Sequence, residues 1–360
     1  MADANPLYGQ WIGTITGSVI DNSTPYAILN SDIDRPGVAF FQCDDPALPF
    51  SADVRFSIKN DLITGSLSNM TPQGPPAAPD IKLSRDGQFS GKLTRDRLEG
   101  EWKTELENSG TFTLVRQDFP APAPADHQMD WRQFRNWILD DERRTASVIF
   151  RGHHDSKHAL ATSFHRRRRR DLSRYDREDV PRLCRTVEAL IGSKYDLRDP
   201  VDFGGLLNLA QHHGFPTPLL DWTESPFVAA FFAFSSLPKM NQSKGELVRI
   251  FMFECDGWPG EAVQAIGHIR PAFARLELRA RDNLRVLPQQ SVHMFSNILA
   301  IERFVASREQ EHKRHFLTRV DIPAIERRVA MIELDAMGIT AASLYPGLDG
   351  LCRMHAEKWF

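Results

Sequence analysis

Two patterns of apolar and polar positions divide this chain. From Leu7 to about Arg116 the residues alternate in short runs: Trp11–Ile15, Val38–Phe41, Val54–Ile58, Ile63–Leu67, Phe89–Leu93, Leu98–Trp102 and Gly110–Leu114. A period of two turns one face of each run toward a core and the other toward water, the mark of half-buried strands. Seven or eight such strands, roughly ten residues apart, predict an all-β unit over residues 1–116, an antiparallel meander closed into a small barrel or sandwich. Asp86-Gly87 and Thr94–Arg97 are candidate hairpin turns. Residues 117–127, QDFPAPAPADH, alternate proline with alanine and predict an extended, fairly stiff linker.

Beyond the linker the period lengthens. Trp131, Phe134, Trp137 and Ile138 share one side of a helix reaching about Asp141, and a short strand, Ala146–Phe150, delivers Arg151 and Gly152 at its end. Val180–Ile191 reads as a helix with Leu183, Val187, Leu190 and Ile191 in the core. Phe203, Leu206, Leu207 and Ala210 mark another, stopped by Gly214. Pro216 and Pro218 then hold a polar turn extended. Ser225-Pro226 starts a further helix, with a hydroxyl cap and proline at the first position. From Phe227 to Phe234 that helix has no polar residue, so it must be buried on every side. Glu246–Glu254 predicts a central strand. Asn283–Leu287 predicts a short one running into Gln289-Gln290, and Phe316–Ile322 another. Pro323 opens a helix whose buried face is Ile325, Val329, Ile332 and Ala336 and whose stop is Gly338. A closing helix from about Asp349 packs Leu351, Cys352, His355 and Trp359. The unit over 128–360 is a mixed α+β domain.

Composition adds little constraint. At 360 residues with 41% hydrophobic, 25% charged and a net charge of −3, the chain has the make-up of a soluble globular protein, with no overall charge argument for nucleic acid or membrane partners. Met1–Trp11 lacks a signal-peptide pattern, and no apolar run approaches the roughly 18 residues needed to span a bilayer. Cys43, Cys184, Cys255 and Cys352 are scattered without a metal-ligand spacing, which predicts reduced thiols, a cytoplasmic location and no structural zinc.

Candidate chemistry gathers in a few places. Arg151, at a strand end and followed by glycine, either binds phosphate through its guanidinium or sits in a buried ion pair. The buried helix from Pro226 presents a positive N-terminal end at Asp221–Ser225, which either attracts an anion or is capped by Asp221 and Ser225 alone. Gln289-Gln290 either reads an amide or ribose or lies in a solvated turn. The basic run His165–Arg170 is followed at once by Asp171, Asp176, Glu178 and Asp179, so it reads first as a solvated face paired with those acids and only second as a nucleic-acid contact.

Phe150-Arg151-Gly152, the run Leu209–Gly214, Asp221-Trp222-Thr223 with Ser225-Pro226, Gln289-Gln290 and Leu344–Gly350 together resemble the FRG domain family, over about Trp131 to the C-terminus. Some members look like toxins or phage-defence components. More distantly, the same order of motifs is similar to the three-part NAD site of ADP-ribosyltransferases and implies their fold. That likeness implies NAD held by Arg151 and Gly152 with Gln211, His212, Trp222 and Ser225, the Trp222 ring stacking on nicotinamide. It assigns catalysis to Arg151, Asp221, Thr223 and Gln290. The third-motif position carries Gln290 with no adjacent glutamate, and Ser291 stands where the FRG pattern has glycine. Another acid, Asp221 or Glu224, must therefore supply negative charge. The acceptor would be a protein or nucleic acid, with the β unit aiming the enzyme. The alternatives are a non-enzymatic module that senses a nucleotide or docks a protein, and nucleic-acid binding through Arg166–Arg170.

Overall fold

A computed structural model of the chain describes residues 5–17, 26–44, 49–73, 82–139, 147–238, 245–259, 270–276, 278 and 284–360. Eight strands close into a barrel: β1 (Gly9–Gly17), β2 (Tyr26–Ser31), β3 (Val38–Asp44), β4 (Phe50–Lys59), β5 (Leu62–Pro72), β6 (Gly87–Leu93), β7 (Arg97–Thr104) and β8 (Ser109–Gln117). Every ladder is antiparallel, and β8 returns to pair with β1. The sequence pattern misses β2. Its Ala27, Ile28, Leu29, Asn30 and Ser31 are all buried: Ala27 and Leu29 belong to the barrel core, and Asn30 accepts from Gln10, which also bonds to Asn297 of the second unit, so the strand does not alternate. Thr94–Arg97 is a turn as expected, with Thr94 N donating to Arg97 O at 2.8 Å, whereas Gly87 already belongs to β6.

The remaining strands are β9 (His127–Gln128), β10 (Val148–His153), β11 (Leu219–Thr223), β12 (Leu247–Glu254), β13 (Phe273–Leu276), β14 (Ser291–Ser296) and β15 (Leu317–Pro323). They form one sheet in the order β13-β14-β11-β10-β12-β15-β9. The helices are α1 (Trp131–Ile138), the short α2 (Ser163–Arg166) and α3 (Leu172–Arg174), α4 (Val180–Ile191), α5 (Pro200–His212), α6 (Pro226–Ser235), the short α7 (Val286–Gln289), α8 (Ile301–His312), α9 (Arg327–Ala336), α10 (Ala341–Leu344) and α11 (Leu348–Trp359). The second unit is thus mixed α and β. On one face of the sheet, α1, α6 and α9 pack over Val148, Phe150, Ile250 and Ile322; on the other, α8 packs over Ile149, Trp222, Phe251 and Met294.

Several expectations change. Leu219–Thr223 is a strand rather than a turn, since two prolines hold its approach extended and β14 supplies its partners. The segment before Gln289 is the helical turn α7, and Asn283 and Ala146 lie outside the described residues. The inward face of α9 is the opposite one: Ala330 and Leu334 are buried, while Ile325, Val329 and Ile332 are exposed. Arg327 fixes this rotation, bonding to Phe234 O and Leu237 O at the end of α6 and pairing with Glu357 at 2.8 Å. Leu190, Leu351 and Trp359 are likewise exposed rather than packed.

The linker is strapped down. Ala123 O accepts from Arg249 Nη1 at 2.6 Å, Asp126 exchanges bonds with Arg319, and His127–Gln128 joins the sheet parallel to β15. The barrel also bonds directly to the second unit. Gln10 Nε2 donates to Asn297 O at 2.8 Å, and Gln10 Oε1 accepts from Leu299 N at 2.9 Å. Asp32, its side chain 1% exposed, pairs with Arg169 at 2.9 Å and Arg174 at 3.0 Å and accepts from Arg170 N at 2.7 Å.

Candidate functional site

β10 pairs with β12 along its length but shares only the Phe150–Thr223 pair with β11. Where the two strands part, a cleft of about 690 Å³ opens. Phe119 and Pro120 of the linker, α5, α6, α7 and Tyr345 complete its walls.

Arg151 bridges the gap. Its Nη1 donates to the Asp221 carbonyl and its Nε to His153 Nε2 at 3.2 Å. The guanidinium is only half-buried, yet it lies far enough inside that loss of water lowers its pKa to about 10, so it stays charged at neutral pH. Lys157, Arg166 and Arg285 line the same space, and Arg285 lies over the Tyr345 ring at 5.0 Å. Burial, then the Arg151 charge, holds His153 well below the usual histidine range. Burial also lowers His212 and His293. These imidazoles are therefore neutral at pH 7, and the positive charge of the site comes from its arginines and lysine.

Among the described residues that line the cleft, Asp221 is the one carboxylate. Its side chain is 61% exposed and lies 3.6 Å from His293 Nε2. Gln211 Nε2 donates to Asp221 Oδ1 at 2.5 Å, and Gln211 Oε1 accepts from the Thr217 hydroxyl. The β11–β14 register, which sets Asp221 opposite His293, and the last turn of α5 thus aim this acid together. Glu224, the other acid considered, lies outside the lining and nearest Arg275 at 3.8 Å.

Arg151, Gly152, Gln211, His212, Asp221, Trp222 and Thr223 all border the cleft. Their parts differ from the expected ones. Gly152 is where α6 touches the sheet: a Cβ there would lie 1.9 Å from Ala229 O. The Trp222 indole is 2% exposed and packs on Phe253 and Phe273, so it is core and offers no stacking face. Thr223 Oγ1 donates to Gln289 O at 2.7 Å and accepts from Ser225 N, which ties β11 to α7. Ser225 caps α6 through Val228 N and is not in the lining; the cleft meets the flank of α6 at Ala229 and Phe232, not its N-terminal end. Gln289 lines the cleft in place of Gln290, whose left-handed turn (φ 47°) presents its carbonyl to Glu224 N.

The basic run is divided. Arg166 faces the cleft, Arg169 pairs with Asp179 at 2.5 Å and with Asp32, and the side chain of Arg170 bonds to His165 O. His165 is fully buried with its pKa pushed well down by burial. Arg166, Arg167 and Arg168 are exposed, as a solvated face requires, whereas Arg169 and Arg170 hold the barrel to the second unit through Asp32. Lys157, Arg285 and His293 had no distinguishing pattern in the sequence; the glycine-flanked Arg151 is the marker that leads to them.

Residues 146–242 match the family model described as FRG domain, so the chain carries an FRG domain. No curated protein matches the chain. Among solved structures it is similar to a redesigned β-barrel, mFAP1, bound to DFHBI (13% identity, 31% of this chain and 95% of that one, TM-score 0.22). It is also similar to Rv2717c from M. tuberculosis (17%, 31% and 94%, TM-score 0.20) and to a de novo designed fluorescence-activating β-barrel (11%, 32% and 100%, TM-score 0.21). Scores this low carry no weight for fold or function.

Proposed function

With an FRG domain as the premise, we propose that the cleft binds NAD as substrate and that the chain is an effector or toxin of ADP-ribosyltransferase type. The supporting observation is the charge pattern of the lining: Arg151, Lys157, Arg166 and Arg285 against the single carboxylate of Asp221. Four cations in one cleft suit a diphosphate, and a volume of about 690 Å³ suits a ligand of dinucleotide size. In the reaction the bond from C1′ to the nicotinamide nitrogen breaks, its electron pair leaves with nicotinamide, and a hydroxyl of the acceptor or of water adds to C1′ and loses its proton. Positive charge develops on the ribose as that bond lengthens, and Asp221 is the group in reach to stabilise it. Gln211 and His293 hold Asp221 in position, the role that the absent third-motif glutamate leaves open. Arg151 orients the phosphates while its bond to Asp221 O keeps the two strand ends in register.

The test follows nicotinamide release from NAD by the full chain. Asp221→Asn keeps an acceptor for Gln211 but removes the charge, so release should fall at least about 100-fold with NAD affinity changed only a few-fold. Arg151→Ala should weaken NAD binding itself, about tenfold or more. Unchanged release in Asp221→Asn sinks the catalytic assignment. Saturable NAD binding without any release would leave the cleft a nucleotide-sensing module.

A further inference from the structure

The interior of the barrel is not filled. Its strands enclose an apolar cavity of about 80 Å³, walled by Ile15, Phe41, Phe89, Trp102 and Phe112, with Leu67 at its side. Eight strands is the size at which a barrel either packs solid or keeps room for one small ligand. The cavity reaches the end of the barrel where β5 finishes and β7 meets β8, at Met70, Thr104 and Asn108. The linker leaves from the opposite end, at the last residue of β8, so this mouth faces away from it.

Two hydroxyls at that mouth have no partner among the described residues. Ser84 is 4% exposed, and its hydroxyl has no hydrogen-bond partner among the described residues; the buried Thr104 hydroxyl is in the same condition. Both belong to the cavity lining. A buried hydroxyl left without a partner costs stability, and two of them at one rim mark a place where a ligand supplies acceptors. Lys82 stands at the same rim with its chain exposed, adding positive charge beside the two donors.

We propose that the barrel is a binding site for a slender amphiphile with an anionic head, a medium-chain fatty acid. The tail lies among Phe41, Phe89 and Phe112. The carboxylate accepts from Ser84 Oγ and Thr104 Oγ1, and Lys82 balances its charge. The site is separate from the cleft and stands whether or not the cleft turns over NAD.

Calorimetry of the full chain with octanoate tests this, with octanol as the arm with an uncharged head and acetate as the tailless one. Octanoate should bind at sub-millimolar concentration, octanol at least tenfold more weakly, and acetate not at all. Ser84→Ala combined with Lys82→Gln should weaken octanoate at least tenfold. Leu67→Trp, which fills the cavity, should abolish binding. Each variant is checked for an unchanged circular-dichroism spectrum. Absence of octanoate binding to the folded parent overturns the proposal, as does binding that survives Leu67→Trp. Equal affinity for octanol overturns the anionic head.

Discussion

In the barrel every strand pairs with its neighbours in sequence, apart from the closing β8–β1 ladder, and the space enclosed is apolar. In the second sheet β11 lies between β10 and β14, segments separated by dozens of residues, and the cleft where it parts from β10 is lined by cations. The difference follows from how each is closed. A barrel made of hairpins turns alternate side chains inward and so collects apolar ones. A sheet made by long crossovers brings strand ends together from distant parts of the chain, and strand ends carry the polar residues that water or a ligand can reach.

The sharpest way to break this comparison is Gly152→Val. The added side chain would strike Ala229 O, and because α6 cannot withdraw without opening the core it shares with α1 and α9, a loss of about 4 kcal/mol or more is expected. Chemical unfolding followed by Trp fluorescence and far-UV dichroism should then show two steps, the barrel unfolding second. A single cooperative step would mean the units do not fold independently. Next in size is Asp32→Ala, which takes one of the carboxylates from both Arg169 and Arg174, leaves the buried Arg170 N–H without its acceptor, and should cost about 3 kcal/mol. Limited proteolysis should then cut the 117–127 segment faster than in the parent; equal rates would show that Gln10 and the strapped linker hold the units together unaided.

The smallest effect expected is on pH dependence. Burial, with help from the Asp32 charge, raises Asp171 from 3.8 to about 6. The folded state therefore keeps a proton that the unfolded state gives up. This contribution to stability is present below about pH 4, declines as pH rises through 6, and is absent above it. Asp171→Asn keeps an oxygen to cap α3 and stays neutral. It should flatten the urea-unfolding free energy across that window, with a gain on the order of 2 kcal/mol at pH 7. An unchanged slope between pH 4 and 6 would count against it.

The residues Arg151, Asp221 and Gln211 were legible from their motifs, as was the barrel from its alternation. What surrounds them was not. Trp222 stands beside Asp221 in sequence, but strand geometry turns it to the opposite face and into the core. Gln289 and Gln290 are neighbours too, and a left-handed turn at Gln290 leaves Gln289 as the one lining the cleft. The apolar stripe on α9 pointed the wrong way because the anchoring side chain is a charged one, Arg327, whose partners lie on α6 and α11. Periodicity counts apolar residues and gives no weight to a buried arginine.

By itself, then, the sequence determined an all-β first unit, a Pro/Ala segment after it, a capped and largely buried helix at Pro226, and an arginine held beside glycine at a strand end. These are local consequences of alternation, capping and backbone restriction. The tertiary structure decided that β10 and β11 diverge after a single pair, that four cations and one carboxylate meet there, that Arg169 and Arg170 of the basic run serve the junction, and that the barrel keeps a cavity. Those depend on which strands pair at long range, and pairing energy is spread over contacts that no short stretch of chain contains.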